Sequence, residues 1–417
     1  MIKILQVRNV DTLVESRRQK TSQKDRKIVQ TILDDVRKNG DAAVKKYEQK
    51  FNGRKTSQLR VTKSEINNAR ITDEQFKALQ LSALKLSKEQ RTLKNKLFSS
   101  VNKLSNSSFV SIPSVGCYIP GGQARYPSSA IMSVITAAEA GVKKIVVISP
   151  PNQDGQIDPM TITVAQNCGA EIYKVGGAQA IGALAYGTKS IPKVDKIVGP
   201  GGKFVSIAKA IVSEQTSIDM IAGPTELGII ADSTADPELV ALDLISQAEH
   251  SNDTMCFVIT TSKTIGKQIQ KSLEKLIPNI ERRKIVKQSI TKNGFIAVCK
   301  NQKEMIDLAN KIAPEHMELM VKNAKTLSKE ITGPGLVLVG KYTPSSASDY
   351  LLGTNHILPT NGFGRTRSGL SVLDFLKLQT VVETKKSDLK KISDKLKILT
   401  DAEGLPNHYK AVERRLK

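Results

Sequence analysis

Along the first hundred residues, apolar side chains recur at three- and four-residue steps among charged ones. RKIVQTILDDVRKNGDAAVKKYEQKF (residues 26–51) is the clearest case, an amphipathic helical pattern with Gly40 as its stop. Past Phe109 the period changes. Short β-branched runs at 143–150, 171–176, 194–200, 226–233, 254–261, 294–300, 316–321 and 335–340 alternate with helical stretches such as SSAIMSVITAAEAGV (128–142) and KFVSIAKAIVSEQ (203–215). Near-continuous apolar strands between helices predict parallel sheets covered on both faces. Eight runs suffice for one large sheet, but two smaller doubly wound units suit the length better. From about residue 371 the strand signal ends, and TKKSDLKKISDKLK (384–397) announces a helical, lysine-rich tail. The expected class is α/β, with helical segments at both ends.

Composition narrows the setting. The 417 residues are 39% hydrophobic and 25% charged, the balance of a chain that folds in water. No apolar run reaches the ~18–20 residues that cross a bilayer. The opening MIKILQVRNVDTLVESRR lacks the apolar core and cleavage site of a secretory signal, so no membrane partner is expected and the cytoplasm is the expected location. Cys117, Cys168, Cys256 and Cys299 lie far apart with no CxxC pair, which reads as free thiols.

Charge complicates the picture. Lys and Arg number 63 against 40 Asp and Glu, a net +23 that raises nucleic-acid binding as a rival. The basic segments 84–98 and 384–397 interleave lysine with leucine at helical spacing, the pattern of a solvated amphipathic face. Aromatics make only 4% and Trp is absent, so stacking platforms for single strands are missing. No nucleic-acid partner is expected; the excess charge suits anionic substrates or cofactors instead.

Glycine clusters fall at expected strand ends: GCYIPGGQARYP (116–127), VGGAQAIG (175–182) and VGPGGKF (198–204). None is GxGxxG and none is a P-loop. Each alone serves as a tight turn; three at successive strand ends favour a nucleotide crevice, because ligands of open α/β sheets bind at the carboxyl ends of strands.

The four histidines sit in ISQAEH (His250), APEHMEL (His316), GTNHILPT (His356) and EGLPNH (His408), beside amides, carboxylates, prolines or glycines. Asp236-Pro237 signals a helix start, and Asp243, Gln247 and His250 then share one face. A lone QxxH also suits a capped helix end. Pro314 puts Glu315-His316 where a loop enters a strand. A carboxylate beside an imidazole is equipment for moving protons near neutrality, although a surface-loop pair looks the same in sequence. Zinc accepts such nitrogen and oxygen donors.

These segments, taken with VGCYIPGGQARYPSS, VGGAQAIGALAYGT, VDKIVGPGGKFV, IDMIAGPTE, SDYLLGTNHILPT and SGLSVLDFL in the same order, resemble the histidinol dehydrogenases. The resemblance runs from about residue 20 to the C-terminus. It implies oxidation of L-histidinol to L-histidine through the aldehyde, with zinc and two NAD⁺. The zinc ligands would be Gln247, His250, Asp349 and His408, and the acid–base pair Glu315 and His316. Thr225, His356 and Glu403 would contact substrate together with Gln247, His250, His316, Asp349 and His408. Tyr118, Gln179 and the turn containing Gly202 would contact NAD. A homodimer with shared sites is implied. So is a four-part chain: an N-terminal helical segment (1–15), a discontinuous Rossmann-like main domain (16–117 plus 227–370), a second Rossmann-like domain (118–226), and a helical tail (371–417) reaching the partner subunit. Three positions depart from the family pattern: Gly202 stands for Asn, Thr225 for Ser, and Thr354 for Pro. A paralogous zinc and NAD alcohol dehydrogenase acting on another amino or sulfonated alcohol shares the same motifs, since specificity lies in a few pocket contacts.

Overall fold

Among the described residues, thirteen strands follow in chain order: β1 (Lys3–Gln6), β2 (Ser107–Ser111), β3 (Ser114–Tyr118), β4 (Lys144–Ser149), β5 (Glu171–Lys174), β6 (Lys196–Val198), β7 (Ser217–Ile218), β8 (Glu226–Ala231), β9 (Met255–Thr260), β10 (Phe295–Val298), β11 (His316–Met320), β12 (Leu336–Val339) and β13 (Leu376–Thr380). They belong to a computed structural model that describes residues 2–18, 22–53, 58–104, 106–121 and 125–417. Two units separate by compactness: Met1–Lys94 with Ser111–Leu376, and Asn95–Val110 with Lys377–Lys417.

The first unit holds two parallel sheets. One has the order β1-β10-β9-β8-β11-β12 and the other β5-β4-β3-β6-β7. Leaving aside edge strand β1, both run 3-2-1-4-5 in their own chain order, so each reverses direction beside its first strand. Every residue of β8, β9, β10 and β11 is buried, which explains why those runs carry no polar alternation.

Period-two alternation sorts the side chains onto two faces. On β9, Cys256 and Val258 join one apolar cluster while Met255, Phe257 and Ile259 join another. On β11, Met317 and Leu319 belong to the second cluster. His316 and Glu318 therefore point to the opposite face, the one covered by the helix Pro237–Ala248 through Val240, Ala241, Leu244 and Ile245. Two ionisable groups thus enter a packed interior at that helix. The second sheet is built the same way, with Val146 and Ile148 on one face of β4 and Ile145 and Val147 on the other.

The second unit contains the helices Lys386–Ala402 and Pro406–Leu416, which pack on each other. β13 pairs with β2.

Two expectations need correction. The segment 1–15 is not helical throughout: Lys3–Gln6 pairs in parallel with Phe295–Val298 before the helix Val10–Arg17 begins. A four-residue edge strand is too short to show a period, and its partner lies some 290 residues away. The tail from 371 is not wholly helical either, because Leu376–Thr380 is a strand. Its burial is that of an exposed ribbon, with four of five residues exposed, so no apolar run marks it.

Candidate active site

The second sheet turns at the carboxyl ends of β3 and β6, and the first sheet begins at the amino ends of β8 and β11. Both borders line one cleft of about 760 Å³. Pro120, Pro200, Gly201 and Gly202 come from the second sheet; Thr225, Glu315 and His316 come from the first. Gln247, His250, Asp349 and His356 complete the polar wall, and Arg26, Lys203 and Lys292 add positive charge.

Local structure explains how each side chain arrives. Asp236 caps the helix Pro237–Ala248 by accepting from the Glu238 and Leu239 amides at 2.9 and 3.4 Å, as its sequence predicts. Gln247 lies in the last turn, and His250 follows two residues past the helix, its amide bonded to the Gln247 carbonyl at 3.2 Å. Ala313 closes the helix Gln302–Ile312 in the left-handed region (φ 48°), and Pro314 then feeds Glu315 and His316 into β11. Asp349 ends the short helix Ser345–Ser348.

His316 is 1% exposed. Its Nε2 lies 3.4 Å from Asp349 Oδ1 and its Nδ1 lies 3.9 Å from Glu315 Oε2, yet neither nitrogen makes a well-formed hydrogen bond. Two buried donor or acceptor atoms without partners are costly, and they point at a group that arrives from outside. Burial pulls the imidazole down, but the Asp349 contact and the Glu315, Asp349 and Glu318 charges outweigh it and raise it to about 9. Burial pushes Glu315 up to about 7 against the lowering charge of His316 and the Glu226 amide, which donates to Glu315 Oε2 at 3.1 Å. Asp349 is held below the usual carboxylate range: burial acts upward, and His316 overrides it. His356 anchors between the Asp349 carbonyl (Nδ1, 2.8 Å) and Ser129 Oγ (Nε2, 3.2 Å). Burial lowers both His250 and His356, favouring their neutral, electron-donating forms.

The cleft therefore gathers Thr225, Gln247, His250, Glu315, His316, Asp349, His356 and Gly202 from the expected set. Glu403 and His408 lie in the second unit, where both are exposed. Tyr118 and Gln179 sit at the glycine-rich ends of the second sheet but do not line the cleft. Tyr118 Oη accepts the Gly177 amide at 3.1 Å, and Gln179 Nε2 donates to Glu48 Oε1 at 2.8 Å.

As metal donors, Gln247, His250 and Asp349 offer an amide oxygen, an imidazole nitrogen and a carboxylate oxygen, a set that zinc accepts. Among the described residues, no three His, Cys, Asp or Glu side chains gather as a metal site by themselves. Of the four expected ligands the cleft holds Gln247, His250 and Asp349, while His408 lies in the second unit. The donor chemistry fits zinc. For NAD, a cleft of this volume suits a cofactor, and a side chain at Gly202 would meet open space.

Three contributors escaped sequence reasoning. Glu318 Oε1 accepts the Ser345 amide at 2.6 Å and shares a hydrogen bond with Asp243, while Ser345 Oγ donates to Gln247 Oε1 at 3.4 Å. Glu226, beside Glu315, is pushed by burial to about 8. The available signal was one Glu inside each apolar strand, in HMELM and in ELGIIA.

Fold and cleft together define a parallel α/β protein with an imidazole–carboxylate site beside a glycine-rich turn. The family model described as histidinol dehydrogenase matches residues 15–416. Histidinol dehydrogenase of Methanocaldococcus jannaschii is 41% identical over 399 residues, 93% of this chain and 92% of that protein. The Lactococcus lactis subsp. lactis histidinol dehydrogenase is 39% identical over 412 residues, covering 96% and 95%. The crystal structure of histidinol dehydrogenase from Elizabethkingia anophelis superposes with a TM-score of 0.90 at 34% identity, over 100% of this chain and 98% of that one. The chain belongs to the histidinol dehydrogenase family.

Proposed function

We propose that this chain is an oxidoreductase of histidine biosynthesis that converts L-histidinol to L-histidine through L-histidinal, using zinc and two NAD⁺. The observation that carries the reading is the convergence of Glu315, His316, Gln247, His250 and Asp349 in one cleft beside the glycine-rich ends of the second sheet. Gln247, His250 and Asp349 would hold zinc with His408. Zinc supplies no redox change; bound, it offers a fixed positive point that orients an amino alcohol with a nitrogen heterocycle. NAD⁺, when bound, accepts the hydrides.

The protein's own groups then move protons. His316 takes the hydroxyl proton as the carbinol carbon is oxidised to the aldehyde. Water adds to the aldehyde carbon with Glu315 accepting its proton while protonated His316 returns its own to the aldehyde oxygen, giving a hydrate and a neutral imidazole. His316 takes a second proton from an oxygen on the same carbon as the hydrate becomes the carboxylate. His316 must be neutral to do this, and Asp349 is what raises it most. With Asp349 holding a cation, that upward pull would fall and the imidazole would return toward its proton-accepting form. A substrate seated against the buried His316 and Asp349 would be partly shielded from bulk water, which would help retain the aldehyde.

The second unit carries exposed Leu378, Val381, Val382, Ile392, Ile398, Leu399 and Leu405. Apolar surface of this extent supports a homodimer, in which Glu403 and His408 reach the partner's cleft. No helix among the described residues is long and apolar enough to cross a membrane, in keeping with a cytoplasmic enzyme.

The test is metal analysis of the purified protein followed by NADH formation with L-histidinol. Bound zinc and two NADH per histidine formed are expected. Turnover of another amino or sulfonated alcohol in place of histidinol would dismiss the substrate assignment.

A further inference from the structure

The turn Gly199–Gly202 leaves β6 where the second sheet reverses, and it opens the helix Lys203–Val212. Beneath it lies a buried ion pair, Lys209 with Asp219, whose side chains are 2% and 0% exposed. Stripping both charges of water is expensive, and well-packed apolar residues commonly do as well or better for stability. The bonds these charges make suggest another use. Lys209 Nζ donates to the Gly199 carbonyl at 2.8 Å, and Asp219 Oδ2 accepts the Gly199 amide at 2.8 Å. Both backbone groups of one residue are thus held by the two ends of one ion pair.

Asp219 is fixed in turn. Its Oδ1 accepts the Met220 amide at 2.5 Å, and its carbonyl accepts from Arg367 Nη1 at 2.7 Å. Gly199 itself stands at φ +109°, where a Cβ would lie 2.1 Å from the Tyr118 carbonyl oxygen. The turn is therefore wedged against the end of β3 on one side and gripped on the other. Three residues on, Gly202 lines the cleft.

We propose that the Lys209–Asp219 pair is a positioning device: it locks the Gly199–Gly202 turn in its binding shape before the dinucleotide arrives, so that the cofactor does not bear the cost of ordering it. Both are positioning residues, since neither touches the cleft. The inference rests on the NAD reading above and adds residues that reading does not use. A turn ordered in advance binds more tightly, because immobilisation is not charged against affinity.

The experiment uses the full-length protein and NAD⁺ itself. Removing one charge strands the other, so the informative variant is the neutral double change Lys209→Met with Asp219→Leu. It is expected to fold with a melting temperature lowered by the Gly199 and Met220 backbone groups that lose their partners, to keep its zinc, and to bind NAD⁺ by calorimetry about tenfold more weakly, the effect of loosening one recognition turn. KM for NAD⁺ should rise while kcat at saturating NAD⁺ stays close to normal, a split that a general loss of structure does not give. A folded double variant with unchanged NAD⁺ affinity overturns the proposal. Should the variant fail to fold, amide exchange in the wild type decides: the Gly199 amide should exchange slowly in cofactor-free protein. Fast exchange that slows only on adding NAD⁺ overturns preorganisation. Wild-type protein that binds no NAD⁺ removes the cofactor reading as well, a result distinct from equal binding by wild type and variant.

Discussion

Burial alone would hold the His316 imidazole neutral, but three carboxylates face it and push it to about 9. One of them, Asp349, also faces His250 and His356, so the electrostatics of the cleft turn on a single side chain. Glu226 shows the opposite balance. Its Oε1 accepts the Asn361 amide at 3.0 Å, its Oε2 has no partner, and burial lifts it from 4.5 to about 8. The folded protein therefore holds that proton after the unfolded chain has released it, and stability falls as pH rises from about 4.5 to about 8. Glu226→Gln keeps the shape without the titration. Its melting temperature should match the wild type near pH 5 and exceed it above pH 8; an equal difference at both values would show that Glu226 does not titrate this way. At this scale the sequence exposed Gln247, His250, Glu315, His316 and Asp349, because unusual polar residues in turn-rich settings stand out. Glu226 and Glu318 stayed hidden. A single Glu in an apolar strand reads as an outward-facing residue until the covering helix is known.

Long buried strands were legible because parallel sheets covered on both faces need near-continuous apolar runs, and β8, β9 and β11 have them. The helix at Pro237 was legible from its cap. β1, β13 and the two-residue β7 were not, since each is short, and β1 also owes its existence to a partner some 290 residues away. The helix Lys203–Val212 shows how a terminus can be incomplete by choice of residue. Gly202 is its N-cap and makes no side-chain capping bond, and a Cβ there meets nothing within 4 Å. Asn is a preferred N-cap, worth a few tenths of a kcal/mol over Gly. Gly202→Asn should therefore fit without strain and raise stability slightly. If the turn contacts NAD⁺, the added amide should also tighten binding several-fold, the ~1 kcal/mol of one hydrogen bond. Calorimetric titration with NAD⁺ separates the two effects: a gain in melting temperature with no change in affinity places the cofactor away from Gly202.

The two sheets share one strand order, and their juxtaposition places the carboxyl ends of one against the amino ends of the other, an arrangement that no local pattern encodes. Segments some 230 residues apart, Ser129 and His356 among them, meet only once both sheets exist. The expected fourth zinc ligand, His408, belongs to the second unit, whose surface carries exposed Ile398, Leu399 and Val382. The twofold dimer proposed above would give this surface a use and would make each site a product of two chains. Mixing two inactive variants tests that composition directly. His316→Ala removes the base from one part of the site, and His408→Ala removes a ligand from the other. In a randomly assembled mixture half the dimers are mixed, and each mixed dimer has one site lacking both groups and one site with both intact. Activity should then return to about a quarter of the wild-type level, as twofold symmetry with shared sites requires. If every site were built from one chain, each would keep its own lesion and the mixture would stay inactive, because no assortment of subunits could then bring an intact His316 and an intact His408 together.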